Sequence, residues 1–359
     1  MQNKIKTVAQ ISYVYLHIDM DYFYAQLEEK RHPESLGKVI AVCMFSGRTE
    51  ISGAITTVNY LGRKIGIKAG MPIISAKKLA PDGVFIHADR EYYAEMSARI
   101  DMIIRANCEK VVQASIDEWN AFDPNAAEIG PKIKQVIQNE MDLICTLGVA
   151  PSVLGAKMAA SKAKPNGLLI LDTEHESKMI NESIVEAVPG IGKKTTEALG
   201  MIGVKKVSDL KKTDPILLVE TFGKKTGTWL HDLALGRYGA ELGEEKEQDG
   251  ISRIGTLKQQ SRDIEFIMQK ISELEDDAKK WLFETKKSYK TLALIFITDD
   301  MALHTKSFTF RNPLPWNEDI TKEKRQLLEE FLKQNSLEIR RIGIKFGNFM
   351  DLNGQTTLF

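Results

Sequence analysis

Cysteine is scarce in this chain: three residues, Cys43, Cys108 and Cys145, among 359. They are odd in number, far apart and never in a Cys-x-x-Cys pair, so neither a disulfide framework nor a zinc site is suggested. Long apolar runs are missing as well. No stretch reaches the roughly 20 residues of a membrane-spanning helix, and the N-terminus lacks the apolar core and cleavage site of a signal peptide. A cytoplasmic protein that does not enter membranes is expected. Net charge is absent too, with 49 Lys and Arg against 49 Asp and Glu. Nucleic-acid binders usually carry a visible basic excess, so the balance alone argues against one. No solenoid repeat or low-complexity tract occurs.

What is present changes that picture. The charge is unevenly spread: residues 188–230 hold Lys-Lys pairs at 193–194, 205–206, 211–212 and 224–225 against four acids, and "AELGEEKEQDG" then turns strongly acidic. A basic module followed by an acidic connector reads as local attraction for phosphate, neutralised elsewhere. With 359 residues and 43% hydrophobic content, the chain is long enough for two to four domains, each with its own core.

Residues 13–20, 38–45 and 111–116 are apolar or β-branched runs of strand length, whereas 21–31, 58–65, 73–80 and 88–107 have helical periodicity. Mixed α/β character follows for the first 175 residues. Residues 176–240 read as short helices broken by glycines, and "EEKEQDG" is the linker candidate, being charged with almost nothing to bury. Beyond it the pattern runs β-α-β-β-α-β, the order of a four-stranded sheet backed by two helices.

The stretch "YLHIDMDYFYAQLEE", residues 15–29, ends an apolar run on two acids and then gives three aromatics. Strand alternation puts Asp19 and Asp21 on one face and suggests that both bind metal. A second acidic pole is "ASIDEWNAFD", in which Asp117 and Glu118 follow a short β-rich run. Carboxylates at the ends of neighbouring strands make a hard-oxygen site suited to Mg²⁺, and two such ions can serve a phosphoryl displacement. Against this, acids after strands are often turn residues, and an aromatic triplet entering a helix is often core packing.

Five segments, in order along the chain, decide between these readings: "HIDMDYFYAQLEE", "GAITTVNYLGRKIGIKAGMP", "ASIDE", "GVAPSVLGAKMAASKAKPNG" and "VPGIGKKTTEALGMIGVKKVSDL". Together they resemble the Y-family translesion DNA polymerases of the DinB type over nearly the whole chain. The resemblance implies an α/β (α+β) right-hand polymerase. Palm and fingers would occupy 1–175 (fingers about 32–88), a helix-hairpin-helix thumb 176–244, a linker 245–251, a β-α-β-β-α-β little finger 252–350 and a clamp-binding tail 351–359.

It also implies that Asp19, Asp117 and Glu118 are catalytic and bind two Mg²⁺ ions (Mn²⁺ as a substitute) with the Met20 carbonyl, leaving Asp21 out. Tyr24 becomes a steric gate against a 2′-hydroxyl. Tyr22, Phe23, Tyr24, Thr57, Tyr60, Arg63 and Lys164 become nucleotide contacts. Tyr60 and Arg63 are three apart, hence neighbours on one helix face, where Arg63 presents a planar fork to phosphate. Gly190 and Gly192 of the hairpin, with Lys193 and Lys194, would hold a DNA phosphate independently of sequence. Arg253, Lys258, Arg340, Arg341 and Lys345 would face the duplex from the little finger, which has 18 basic and 16 acidic residues from 251 onward. Gln355, Leu358 and Phe359 resemble a short peptide that docks into a sliding clamp.

The implied activity is template-directed, low-fidelity DNA synthesis opposite or past damaged bases, by a monomer whose partners are primer-template DNA, deoxynucleoside triphosphates and a clamp. No proofreading module is apparent. Departures from the family pattern are Trp119-Asn120-Ala121-Phe122 after the acid pair, Val153 in place of a lysine and Leu61-Gly62 in place of Glu-Ala. A bulky Trp119 beside the metal acid is expected to reshape the primer side. Two rivals are a catalytically weak or inactive clamp-tethered DNA-binding protein of the same fold, and a nucleotidyl cyclase. Retention of all three acids counts against the first, and the hairpin and tail are idle in the second.

Overall fold

A computed structural model describes residues 14–238, 242–244 and 248–351. The expected clamp-binding residues Gln355, Leu358 and Phe359 lie outside the described residues. The chain divides into two compact units: residues up to Val42, Thr57–Lys68 and Asp82–Glu245 form one, and Cys43–Thr56, Ala69–Pro81 and Lys246 onward form the other. The stretch expected to form the fingers, about 32–88, is divided between the two units.

The first unit opens with β1 (Tyr15–Met20) and α1 (Phe23–Arg31). β2 (Ile40–Phe45), β3 (Gly53–Val58) and β4 (Val84–His87) form a small sheet in the order β3-β2-β4 whose residues are divided between the two units; α2 (Tyr60–Lys64) belongs to the first unit and α3 (Ile73–Leu79) to the second. α2 starts on Asn59, whose side chain accepts from Gly62 N–H at 3.1 Å and donates to Glu29 at 2.7 Å. The departure at Gly62 has a steric reason: a Cβ there would fall 2.3 Å from Val58 Cγ2.

Next come α4 (Arg90–Arg105), β5 (Lys110–Gln113), β6 (Glu118–Phe122), α5 (Ala126–Met141), β7 (Cys145–Ala150), α6 (Val153–Ala163) and β8 (Leu168–Ile170). They complete a five-stranded sheet, β5-β6-β1-β7-β8, with β1 in its middle. Alternation along β1 sorts its side chains. Leu16, Ile18 and Met20 join Tyr93, Ile100, Ile104, Ile133 and Ile137 of α4 and α5 in a core, while Tyr15 packs with Ala150, Ala156 and Ala159 on the α6 side. α6 lies so close that a Cβ on Gly148 of β7 would meet the Ala156 carbonyl oxygen at 1.9 Å.

Trp119 corrects an expectation. It follows Glu118 by one residue and so points to the opposite face, where it is fully buried and its indole N–H donates to Asp101 Oδ1 at 3.0 Å. It belongs to the core and does not shape the primer side. Val153 likewise packs against the α6-side cluster rather than presenting a charge.

α7 (Thr173–Glu182) anchors the start of α6: Glu176 accepts from the Ser152 backbone N–H at 3.0 Å and its hydroxyl at 2.7 Å. Burial pushes the Glu176 carboxyl above its usual range. α8 (Lys193–Met201) and α9 (Pro215–Ala234) then enclose a small helical core of Val188, Ile191, Leu199, Leu210, Leu218 and Leu230. Gly223, at φ 77°, interrupts α9, so "TFGKKTGTWL" is a bent helix pair.

In the second unit, β9 (Gly250–Ser261), α10 (Ile264–Glu284), β10 (Lys287–Thr298), β11 (Leu303–Leu314), α11 (Thr321–Gln334) and β12 (Ile339–Asp351) follow the expected order. The sheet runs β11-β10-β12-β9, with α10 and α11 over one face and Ile267, Ile271, Leu282, Leu292, Phe296, Leu328 and Ile344 among the core. β9 begins at Gly250, inside the expected linker. Arg253 departs from its expected place: it shares the register of Ile344, on the helix-covered face, and its guanidinium pairs with Asp277 of α10. Thr256, Lys258, Arg341 and Lys345 alternate to the opposite face. Between Ile339 and Arg341 the β9–β12 register breaks, and Arg48 fills the gap by donating to the Leu257 carbonyl at 2.7 Å and the Arg340 carbonyl at 3.4 Å.

Candidate active site

The acids meet through strand register. β1 pairs antiparallel with β6 so that Asp19 lies opposite Glu118, and with β7 so that its other neighbour is Thr146. Asp117 and Glu118 therefore stand at the start of β6 rather than at the end of the preceding strand. The Ala114 and Ser115 amides close that hairpin on the Glu118 carbonyl at 2.9 and 3.2 Å, and Ser115 Oγ–H donates to Asp117 Oδ1 at 2.7 Å. Met20 N–H donates to the Asp117 carbonyl at 2.9 Å, so the backbone of one acidic pole is tied to the other.

Ligand atoms of His17, Asp19 and Glu118 all lie within 4.8 Å of one another. Burial pushes the Asp19 carboxyl up to about 6, opposed by the hydrogen bond and charge of Lys164, while the charges of Glu118 and Asp117 add to the rise. Lys164 Nζ is 2.6 Å from Asp19 Oδ2, and Lys157 Nζ is 2.7 Å from Glu118 Oε2. Burial alone would raise Glu118, but Lys157 outweighs it and holds the carboxyl below its ordinary range. Clustered hard oxygens that share negative charge and a confined space suit a small divalent cation.

Asp21 is placed differently from its strand neighbour. The chain leaves extended geometry at Tyr22, whose φ is 37°, so alternation stops at Met20. The fully buried Asp21 carboxylate accepts from Thr146 Oγ1 at 3.0 Å, the Asn166 backbone N–H at 2.7 Å and Tyr60 Oη at 2.9 Å. It pins α2 and the Lys164 turn to the end of β1. All its oxygen capacity faces protein donors, and among the described residues it is not one of the clustered ligands.

The aromatic wall divides three ways. Tyr22 donates to Glu29 Oε2 at 3.0 Å and meets Tyr60 edge-on, ring centroids 5.0 Å apart. Phe23 is 2% exposed within the core, so its ring cannot line a nucleotide pocket. This corrects the expected ring contact and leaves only its backbone amide. Tyr24 lies flat against Tyr93 at 4.4 Å and 14°, and Tyr93 Oη donates to buried Glu28 at 2.7 Å. Burial and the Asp117 charge both raise the Tyr24 phenol's pKa, so it stays protonated.

Arg63 is exposed, with its guanidinium 5.2 Å from the Tyr60 ring and Nε donating to the Val58 carbonyl at 3.2 Å. Thr57 is half-buried on β3, three residues before Tyr60. In the thumb, Gly190 adopts φ 96° beneath Trp229, Gly192 caps α8 with open space where a Cβ would sit, and Lys193 and Lys194 are exposed on its first turn. Arg340 and Arg341 line a cavity of about 450 Å³ with Arg48 and Lys270, and no acid is among its described lining residues.

Sequence reading missed His17, Lys157, Tyr93 and Asn120. His17 shares Asp19's alternation, so a signal existed, but its partner Asn120 is 103 residues away. Burial pushes the Cys43, Cys108 and Cys145 thiols up to about 12, which disfavours the reactive thiolate.

Comparison with known proteins agrees along the chain. The impB/mucB/samB family model matches residues 18–161, its C-terminal domain model 248–358, and a DNA polymerase-iota thumb domain model 186–237. The chain is 37% identical over 362 residues to a DNA polymerase IV of Methanosarcina acetivorans, covering 96% of this chain and 98% of that one. It is 34% identical to the DNA polymerase IV of Saccharolobus solfataricus strain P2, over 96% and 99% of the two chains. Among solved structures, a Y-family DNA polymerase chimera, Dbh-Dpo4(243-245)-Dbh, superposes with a TM-score of 0.88 at 32% identity, covering 94% of this chain and 99% of that one. An insertion ternary complex of Dbh DNA polymerase gives 0.67 at 32% identity, with the same coverage.

Proposed function

The chain belongs to the DinB-type Y-family DNA polymerases and is a DNA-directed DNA polymerase, and from that premise we propose that it synthesises DNA past damaged template bases, with low fidelity and two Mg²⁺ ions. The observation that carries this reading is the register of Asp19 opposite Glu118, with Asp117 tied to Met20, beside the Tyr24–Tyr93 stack. Asp19, Asp117, Glu118 and the Met20 carbonyl would hold the ions, with Mn²⁺ able to replace Mg²⁺. When bound, the ions lower the pKa of the primer 3′-hydroxyl and offset triphosphate charge.

The chain's own residues do the rest by position. Lys164 serves as a point charge and Arg63 as a planar fork for the triphosphate, and Tyr60 backs Arg63. Thr57, Tyr22 and the Phe23 amide complete the pocket. The Tyr24 ring, held by Tyr93, would leave no room for a 2′-hydroxyl. Low fidelity is supported by the short helices of the fingers, five residues in α2 and seven in α3, which give little surface to test a nascent base pair. Gly190, Gly192, Lys193 and Lys194 would grip one backbone stretch, and Arg340, Arg341, Lys258 and Lys345 another. We assign the tail residues Gln355, Leu358 and Phe359 to a sliding clamp, with the polymerase itself a monomer.

Primer extension with Mg²⁺ on plain and lesion-bearing templates tests this. Asp117→Ala with Glu118→Ala should abolish extension on both, a loss of at least about 10³-fold. Extension that survives the double change overturns the metal assignment, and failure of the wild type on every lesion overturns the bypass assignment.

A further inference from the structure

We propose that Glu29 is a positioning residue of the nucleotide pocket: its two carboxylate oxygens tie Tyr22 to the N-terminal cap of α2, and so fix where Arg63 meets the triphosphate. The inference rests on the assignment of Arg63 to the triphosphate above and adds to it the residue that aims the guanidinium. Tyr22, Glu29, Asn59, Tyr60 and Arg63 all belong to the first compact unit. Tyr22 Oη donates to Glu29 Oε2 at 3.0 Å, and Asn59 Nδ2 donates to Glu29 Oε1 at 2.7 Å. An ionised carboxylate only accepts, so one side chain satisfies two donors from different elements, one on each oxygen. Tyr60 follows Asn59 directly and meets the Tyr22 ring edge-on, which closes a circuit through Tyr22, Glu29, Asn59 and Tyr60.

The Asn59 amide can stand only one way round. Its Oδ1 accepts from the Gly62 N–H at 3.1 Å and its Nδ2 donates to the Lys38 carbonyl at 2.9 Å, so the remaining Nδ2 hydrogen turns to Glu29. Asn59 is only 2% exposed, so water does not readily replace a lost partner there. α2 has five residues, little more than one turn, and its direction follows from its cap. A second tie comes from Tyr60 Oη, which donates to Asp21 Oδ1 at 2.9 Å. Arg63 lies one turn along, its backbone N–H bonded to the Asn59 carbonyl at 3.0 Å. A displacement of the cap is therefore passed to Arg63, whose planar fork must align with phosphate oxygens. Both Glu29 oxygens are taken by protein donors, so it acts through these neighbours.

The test is single-nucleotide insertion by the full-length protein with Mg²⁺ and each of the four deoxynucleoside triphosphates, on an undamaged primer-template. Glu29→Ala should raise KM about tenfold for all four with kcat within about threefold, since phosphate contacts are common to every base. Glu29→Gln should stay within about threefold in KM, because its carbonyl oxygen keeps Asn59 and its amide donates to the Tyr22 oxygen. Glu29→Asp keeps the charge but is one methylene short of reaching both donors, so it should raise KM by about fourfold or more. It carries the test if Glu29→Ala fails to fold, and a wild-type KM in it then overturns the inference. Because Glu29 acts through Arg63, adding Glu29→Ala to Arg63→Ala should change KM by less than about twofold. A folded Glu29→Ala with wild-type KM, or a double variant in which the two losses multiply, overturns the inference. Arg63→Ala separates the two levels. If it raises KM while Glu29→Ala does not, only the Glu29 role falls. If it keeps the wild-type KM, the triphosphate assignment falls and Glu29 with it.

Discussion

Tyr24 lies face to face with Tyr93, ring centroids 4.4 Å apart and planes 14° from parallel. The ring proposed to exclude a hydroxyl must not swing aside, and the Tyr93 ring stacked on it is what holds it in place. Tyr93→Ala should therefore raise ribonucleotide insertion roughly tenfold relative to deoxynucleotide insertion, and Tyr24→Ala by more. Tyr93→Phe keeps the stack and should discriminate as wild type. The ratio of kcat/KM for the two sugars decides it, and a Tyr93→Ala ratio equal to wild type would detach this ring from the gate.

Asp19 and Asp21 are two residues apart and should fail in different ways. Asp21→Ala leaves the donors of Thr146, Asn166 and Tyr60 without their acceptor, at a cost of about 3 kcal/mol. Its melting temperature should fall while Mn²⁺ binding without DNA stays near wild type. Asp19→Ala should lose metal binding with little loss of melting temperature. The opposite pattern would place Asp21 in the ligand set.

Lys193 and Lys194 are exposed at the start of α8 and are assigned to phosphate. Replacing both by Ala should weaken binding of every duplex sequence alike. The slope of log K against log salt should flatten by up to about 1.8, the release expected for two phosphate contacts. Fluorescence anisotropy over a salt series measures this, and an unchanged slope would remove the hairpin lysines from the interface.

Glu176 carries a pH dependence. Burial raises its folded-state pKa above the unfolded value, so its contribution to stability is fully present below the unfolded pKa and is lost as pH rises through the folded one. Glu176→Gln keeps an oxygen for the Ser152 donors but no charge. The variant should melt higher than wild type at pH 8, and the gap should close as pH falls toward the ordinary glutamate range. Melting curves across pH 4–8 check the sign.

Elements whose pattern is local were legible. The apolar run ending in Asp19 made β1, and the amphipathic spacing from Ile264 to Glu284 made α10. What was misread depended on partners far along the chain or on a break in regularity. Alternation alone made Asp21 look like a second ligand, and only the family resemblance left it out; the strand ends at Met20, just before the backbone turns left-handed at Tyr22. Asp117 and Glu118 looked like the end of a strand because the hairpin at Ala114 and Ser115 has no glycine or proline to announce it. Arg253 looked solvent-facing because it is charged, but Asp277, on another element, receives it. His17 was passed over, since the amide it hydrogen-bonds, Asn120, enters from β6.

β6 reads Glu118, Trp119, Asn120, Ala121, alternating between the reactive face and the core. Two vocabularies are thus interleaved in four letters, one answerable to chemistry and one to packing. Substitutions at Trp119 or Ala121 therefore act on the fold, and substitutions at Glu118 or Asn120 on the site. Trp119, first taken for a change in activity, is a change of filling.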